Sequence, residues 1–444
     1  MDNLDFTRKT VVLSTCLSLL FTVFQTSAAN LEDVYYIAET SDPEFKQVAA
    51  NKRAILESRP QALAGLLPSA NLSANTISND QDITAAGFGA SGKTSFNSHG
   101  YSLNVSQPII RADRYIQLRQ ASSLIKQADA ELSSAQQDLM VRVAEAYFNI
   151  LAAQDSLSFA QAEKRSLSKQ LDQAKQRFEV GLTAITDVQE AQAGYDLAVS
   201  LEIVAKNEID NSSERLRAIT GEYVTNLSSL GNDMPLVNPQ PEEIDTWTDT
   251  ALEQNLEVLS ARYAIETARE EIRKQKTGHL PTLDLTARHA YESSGGRFGA
   301  FAARSTSIGL ELNVPLYQGG FVSSKTREAH QRLEQQRQRL EQARRLAQRL
   351  TREAYLGVIS GISQVKALNQ AVISSETALL STQAGFEVGT RTAVDVVTSE
   401  RVTSQARRNY SRSRYDYIIN TLRLKRAAGI LSTNDLIQVS QWMK

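Results

Sequence analysis

Phe178-Glu-Val-Gly-Leu-Thr-Ala-Ile-Thr-Asp-Val188 and Phe386-Glu-Val-Gly-Thr-Arg-Thr-Ala-Val-Asp-Val396 are two copies of one phrase, set 208 residues apart. The same offset relates Ala146-Tyr147 to Ala354-Tyr355, Gly181 to Gly389, Asp187 to Asp395 and Gly221 to Gly429. A constant offset over 75 positions marks duplication of a long unit. Upstream, Ala38 and Ala251, and Pro68 and Pro281, lie 213 residues apart, so loops between matched elements differ in length.

Each phrase closes a long helical pattern. After Pro108, apolar or small residues recur every seven positions: Leu118, Ile125, Leu132, Leu139, Ala146, Ala153, Ala160, Leu167 and Ala174. This is a coiled-coil seam. Leu333, Leu340, Ala347, Ala354, Gly361 and Leu368 keep the same phase in the second copy. No proline occurs from Arg111 to Arg177, and a helix of that length extends about 100 Å at about 1.5 Å per residue. Gly181 and Gly389 suit the left-handed cap that stops such a rod, and a second helix is expected to return from Asp187 or Asp395. The phrase is then the turn of two helical hairpins, 111–220 and 319–428, with tips at 179–187 and 387–395.

Before each rod the period changes to two. Tyr101, Leu103 and Val105 alternate with Ser102, Asn104 and Ser106; Ile308, Leu310, Leu312 and Val314 alternate with Ser307, Gly309, Glu311 and Asn313. These are strands with one apolar face. Weaker partners begin after Pro68 and Pro281, giving one strand hairpin per copy, at about 67–108 and 280–316. Loops rich in Gly, Ser, Ala and Asn are expected from Ser78 to Thr94 and from Ser293 to Ser305. Residues 30–230 and 247–432 form the two repeats, 231–246, with Pro235, Pro239 and Pro241, the linker, and 433–444 a C-terminal tail.

Lys and Arg total 48 and Asp and Glu 50, a net charge of -2 that gives no reason to expect nucleic acid as a partner. Residues 1–29 combine Arg8 and Lys9, an apolar run from Val11 to Phe24 and Ser27-Ala28-Ala29, the pattern of a secretory signal peptide. The run is shorter than a membrane span requires. Cys16 would leave with the leader, so the mature chain has no thiol chemistry. An exported chain with strands apolar on one face can cross an outer membrane as a β-barrel. Four strands cannot close one, since closed barrels begin at about eight, so copies of the chain would have to pool theirs.

From about Leu31 to Leu431 the chain resembles the TolC family of trimeric outer-membrane efflux ducts, in the tip phrases, in Gly278-His-Leu-Pro-Thr-Leu-Asp-Leu-Thr-Ala287 and in Val314-Pro-Leu-Tyr-Gln-Gly-Gly320. The resemblance implies a mainly α-helical fold with a β portion: a homotrimer, four strands per chain in one twelve-stranded barrel, continued by a hollow periplasmic α-barrel. A belt near its middle would hold the inter-repeat linker and the C-terminal end. It further implies a non-enzymatic exit duct without cofactor, embedded in outer-membrane lipid of a Gram-negative cell. Its partners would be a periplasmic adaptor of the membrane-fusion class and an inner-membrane transporter of the RND, ABC or MFS class. Cargo would be drugs, toxic compounds or secreted proteins. An exported coiled-coil structural or adhesive protein without a conduit is the alternative.

The resemblance also assigns residues. Asp395 matches a lumen-facing aspartate that threefold symmetry makes into a ring, where like charges attract cations and raise their own pKa. By itself, Asp395 reads as a first-turn acid of the returning helix. The family's second ring aspartate is Thr398 here, which implies weaker cation block. Arg391, Thr186 and Asp187 match the polar links that hold the family's mouth closed, although a turn arginine beside a cap aspartate has an ordinary surface reading as well. Phe386 stands where the family has tyrosine, so one hydroxyl link to Asp187 is missing and the mouth is expected to open more readily. Val180, Gly181 and Leu182, with Val388, Gly389 and Thr390, match the surface on which adaptor hairpins dock.

Other motifs point elsewhere. Gly87-Phe-Gly-Ala-Ser-Gly-Lys-Thr94 satisfies the phosphate-loop pattern, but residues 95–106 continue as an alternating strand where that loop needs a helix. His99, His279, His289 and His330 have no metal-ligand spacing. The basic run from Arg332 to Arg352 includes Glu334 and Glu341 and reads as a solvated helix face.

Overall fold

The computed structural model describes residues 28–84, 92–231, 234–296 and 299–443. Residues 1–27 of the expected leader, with Cys16, and residues 87–91 of the phosphate-loop pattern lie outside them.

The first half runs α1 (Leu31–Ser41), α2 (Pro43–Leu56), α3 (Ser58–Ala64), β1 (Ser69–Ile83), β2 (Gly92–Ile110), α4 (Ala112–Glu179) and α5 (Ile185–Thr220). In the second half, α6 (Ile244–Gln254), α7 (Leu256–Lys276), β3 (Thr282–Ser294), β4 (Phe301–Asn313), α8 (Phe321–Glu387) and α9 (Ala393–Ala428) repeat the plan, and α10 (Thr433–Ser440) follows. The two rods, α4 and α8, are 68 and 67 residues long, and both returning helices have 36. Gly221 and Gly429 end the returning helices at φ of 79° and 81°. Gly429 has a second constraint: a Cβ there would lie 2.3 Å from the Gln254 carbonyl oxygen.

The four strands form one antiparallel sheet in the order β1-β2-β3-β4, so β2 and β3 join the two halves. Directly opposed residues share a face: Leu72 and Leu103, Ala287 and Ile308, Leu285 and Leu310. Ile308 and Leu310 are 75% and 69% exposed, as a lipid-facing surface would be in one chain taken alone. The strands extend further than expected. Ser78–Ile83 pairs with residues 92–97, and residues 301–305 belong to β4, so most of the expected loop sequence is hairpin. Ladder hydrogen bonds are made by the backbone and persist where side chains on both faces turn polar.

The main core is a belt at mid-length of the rods. Leu139, Val143, Tyr147, Phe148 and Leu151 of α4 meet Tyr415, Ile418, Ile419 and Leu422 of α9, with α1 and α10 packed over them. The Tyr147 hydroxyl donates to the carbonyls of Ala29 (3.0 Å) and Ser228 (2.8 Å), and burial raises its pKa far above that of free tyrosine. Tyr417 donates to the Val237 carbonyl and Trp247 to that of Pro241, which fastens the inter-repeat segment to the belt. The C-terminal segment includes a helix, α10, capped by Ser432 and Asp435 and anchored by buried Leu436 and Val439. The seven-residue seam of α4 is buried from Leu139 to Ala174 but only half-buried at Leu118, Ile125 and Leu132. There α2, α3 and α7 flank the rod, and Ile116, Ala121 and Ala128 are buried instead.

Candidate functional site

The far end of each rod is a tight turn built by one glycine. After α4 the Gly181 amide donates to the Phe178 carbonyl (2.9 Å) and the Leu182 amide to that of Arg177 (2.8 Å). After α8 the Gly389 amide donates to Phe386 and the Thr390 amide to Gly385 (2.8 Å). Positive φ at Gly181 and Gly389 (76° and 81°) makes both turns possible. Val180, Leu182 and Val388 project from them, each more than two-thirds exposed. Apolar side chains are thus held outward at both tips.

The two returning helices start differently. Thr392 caps α9: its hydroxyl accepts from the Asp395 amide (3.3 Å), while the Asp395 carboxylate accepts from the Thr392 amide (2.9 Å) and hydroxyl (3.0 Å). These two donors, aided by the Arg391 charge, hold the Asp395 carboxyl below the usual range. Within one chain, therefore, Asp395 is a capping acid with a lowered pKa; the rise expected of a carboxylate ring requires other chains. Ala184, at the start of α5, offers no side-chain cap. Asp187 is instead held by the Thr183 hydroxyl.

Arg391 does not reach Asp187 within the chain, nor any other carboxylate among the described residues. Its stem folds over Gly385, where a Cβ would come within 2.8 Å of the Arg391 Cγ. Phe386 is also turned elsewhere: the Arg177 guanidinium lies over its ring at 4.7 Å. Thr186 is exposed on the first turn of α5, and Thr398 is exposed on the second turn of α9, one turn beyond Asp395. The expected residues thus share one end of the molecule, without the expected links among them inside one chain.

Above the tips a series of polar contacts ties α4 to α9. Glu145 pairs with Arg423 (2.7 Å), Asn149 accepts from Arg412 (2.7 Å), and Asp155 accepts from Tyr415 (2.7 Å) and Ser411. Buried Glu163 pairs with Arg408 (3.4 Å), and buried Glu400 of α9 accepts from Ser166 of α4 and also from Gln383 of α8. Nearer the tips, a Cβ on Gly194 of α5 would lie 3.0 Å from Val397 of α9. Arg177, Gly194 and Gly385 are the residues that reading the motif missed. A signal existed for two of them: at the 208-residue offset Arg177 faces Gly385 and Thr183 faces Arg391, so the arginine changes sides of the turn between copies.

A family model described as outer membrane efflux protein matches residues 34–222 and 247–430, one segment in each half. The chain belongs to the outer membrane efflux protein family. Outer membrane protein TolC of Vibrio cholerae is 38% identical over 433 residues, which cover 94% of each chain. TolC of Escherichia coli is 36% identical, over 93% of this chain and 85% of its own. Alkaline protease secretion protein AprF of Pseudomonas aeruginosa is 30% identical, over 92% and 86%. The Campylobacter jejuni CmeC outer membrane channel superposes with a TM-score of 0.80 over 100% of this chain and 98% of its own, at 17% identity, a likeness of fold. The chain is thus an outer-membrane exit duct, with its strands in the outer membrane and its helices extending into the periplasm. The phosphate-loop pattern has a plain outcome: Lys93 and Thr94 lie inside β2, opposite Asp82 and Gln81, rather than at a helix start.

Proposed function

We propose that three copies close twelve strands into one barrel and their helices into one tube, and that the two tip phrases form its periplasmic gate. The observation that carries this reading is the sheet: among the described residues β1 and β4 each pair on one side only, and the face that bears Leu103, Ile308, Leu310 and Leu312 is apolar there. A row of unpaired backbone groups in a membrane needs a partner strand, and twelve strands leave a lumen that eight would fill. The duct is passive, and an inner-membrane transporter of the RND, ABC or MFS class energises it through a periplasmic adaptor seated on Val180, Gly181, Leu182, Val388, Gly389 and Thr390. Drugs and other toxic compounds, or secreted proteins, are the cargo. AprF, by its name, serves alkaline protease secretion.

At the mouth, the Asp395 carboxylates form a ring that attracts cations, and Arg391 crosses to Thr186 and Asp187 of a neighbouring hairpin. Two findings favour that link: Arg391 has no carboxylate partner among the described residues, and the side-chain donor found on Asp187 is the neutral Thr183 hydroxyl. Purified protein tests the reading in planar bilayers. Trimers should conduct, and Arg391→Ala should raise the conductance. Non-conducting monomers would reject the duct assembly; conducting trimers indifferent to Arg391→Ala would reject the gate alone.

A further inference from the structure

The outward face of the sheet changes character at one level. Leu312, Leu310 and Ile308 succeed one another on β4, and Val105 and Leu103 on β2, after which one row sets Tyr101, Tyr291 and Arg304 side by side. The tyrosine rings stack with centroids 5.7 Å apart at 28°, and the Arg304 guanidinium lies over Tyr291 at 5.7 Å. His99 flanks Tyr291 and His289 flanks Tyr101, each at 6.2 Å between centroids. His289 is fixed by its Nδ1 contact with the Thr306 hydroxyl (2.7 Å).

From Arg304 down to Leu312 the strand covers about 26 Å at about 3.3 Å per residue, and once tilted it spans most of a band of about 25 Å. The helices leave from the Leu312 end, so the Arg304 row stands at the external leaflet. Arg304 has no ion pair among the described residues. Glu292, next to Tyr291, points to the opposite face of the sheet. On the outward face of β1, Asp80 and Asp82 sit three and four rows further out.

A guanidinium without an ion pair on an aromatic platform, separated from the apolar rows on β3 and β4 by the single row of His289 and Thr306, suits a ligand with a phosphate on an acyl body. The planar fork matches phosphate oxygens in pairs, and the rings accept the boundary between headgroup and chain. We infer that Arg304, Tyr291 and Tyr101, with His99 and His289 at their flanks, bind the phosphate group of an outer-leaflet lipid. Free phosphate has the same charge but gains nothing from the apolar rows below.

The test uses the full chain as trimers in detergent, exchanged through micelles containing diphosphoryl lipid A, with retained lipid counted by native mass spectrometry. Arg304→Gln should weaken retention about fivefold, the effect of one surface cation on an anionic lipid. Arg304→Lys should weaken it less, and Lys93→Gln, four rows away, not at all. Inorganic phosphate at the same concentration should not compete; competition would assign the site to free phosphate and overturn the lipid reading. Equal retention by wild type and Arg304→Gln overturns it too, as does a loosened trimer with unchanged lipid, which would make a neighbouring chain's carboxylate the partner. If Arg304→Gln does not assemble, the His99→Gln/His289→Gln double variant makes the same comparison: a smaller loss is expected, and no loss overturns the inference. Bilayer conductance of Arg304→Gln should equal wild type, which keeps this test separate from that of the duct.

Discussion

Arg177→Ala removes a contact that joins the two rods at the mouth, where the guanidinium lies 4.7 Å above the Phe386 ring. An exposed cation–π contact contributes about 0.5–1 kcal/mol. Three symmetric copies sum to about 1.5–3 kcal/mol, which moves a closed–open equilibrium by about 10- to 150-fold. Single-channel recording without adaptor reads that shift as open probability. Arg177→Ala should raise it, Phe386→Leu should raise it similarly, and the double variant should add little, because both changes delete one contact. Fully additive effects would refute the reasoning. So would unchanged open probability for Arg177→Ala in trimers that assemble normally, since the contact would then be incidental to closure.

Phe386→Tyr supplies a hydroxyl that can donate to Asp187, a bond contributing about 1 kcal/mol per chain; closed-state conductance should fall, and equality with wild type would remove the argument. Thr398→Asp adds a second carboxylate one turn from Asp395 and should tighten block by multivalent cations, measured as a lower blocking concentration in bilayers. In the belt, burial acts to raise the pKa of Asp42, but the Arg142 guanidinium (2.7 Å) and the Phe45 amide (2.8 Å) outweigh it and hold the carboxyl below its ordinary value. A folded pKa below the unfolded one stabilises fully above about pH 4 and is lost as pH falls through the folded value. Thermal melts of Asp42→Asn should therefore lose part of the acid-side decline, and Arg142→Ala should cost about 3 kcal/mol by stranding a buried charge. Gly429→Ala should lower the melting temperature by at least the equivalent of about 1–3 kcal/mol, since it combines a positive φ with a clash against the Gln254 backbone.

The rods and turns were legible because their determinants are local: a seven-residue repeat without proline, then one glycine. Asp395 was legible as a first-turn acid of α9, and the structure adds Thr392, three residues earlier, as its partner in the cap. Helix α7 carried the same signal, with buried Val258, Ile265 and Ile272 at seven-residue spacing, but its surface of Glu, Arg and Lys leaves the stripe narrow. The outer strand ends were not legible, since backbone pairing continues through Ser78–Ile83 where no apolar alternation reports it. Nor were the contacts near the tips. Arg177 meets Phe386, and Gly194 meets Val397, across the boundary between repeats, where sequence distance carries no information about packing.

Comparing the two tips at one offset shows why they are unequal. In the first copy the arginine ends the rod, as Arg177, and threonine stands in the turn, as Thr183; in the second, Gly385 ends the rod and Arg391 stands in the turn. Gly385 admits the stem of Arg391, which a side chain at that position would displace. Thr392 takes over the capping of α9 and occupies Asp395, so that acid is engaged where it stands. Among the described residues, Asp187 has the Thr183 hydroxyl as its one side-chain donor. One cation therefore acts inside the chain, on Phe386, while the other is left, in the proposed gate, for a carboxylate of a neighbouring hairpin. A duplicated hairpin with identical tips would have both arginines in the same place and could not divide these tasks. On this argument, exchanging the residues of the second tip for those of the first, Gly385→Arg with Arg391→Thr, should leave the fold of each chain intact and abolish closure of the assembled mouth.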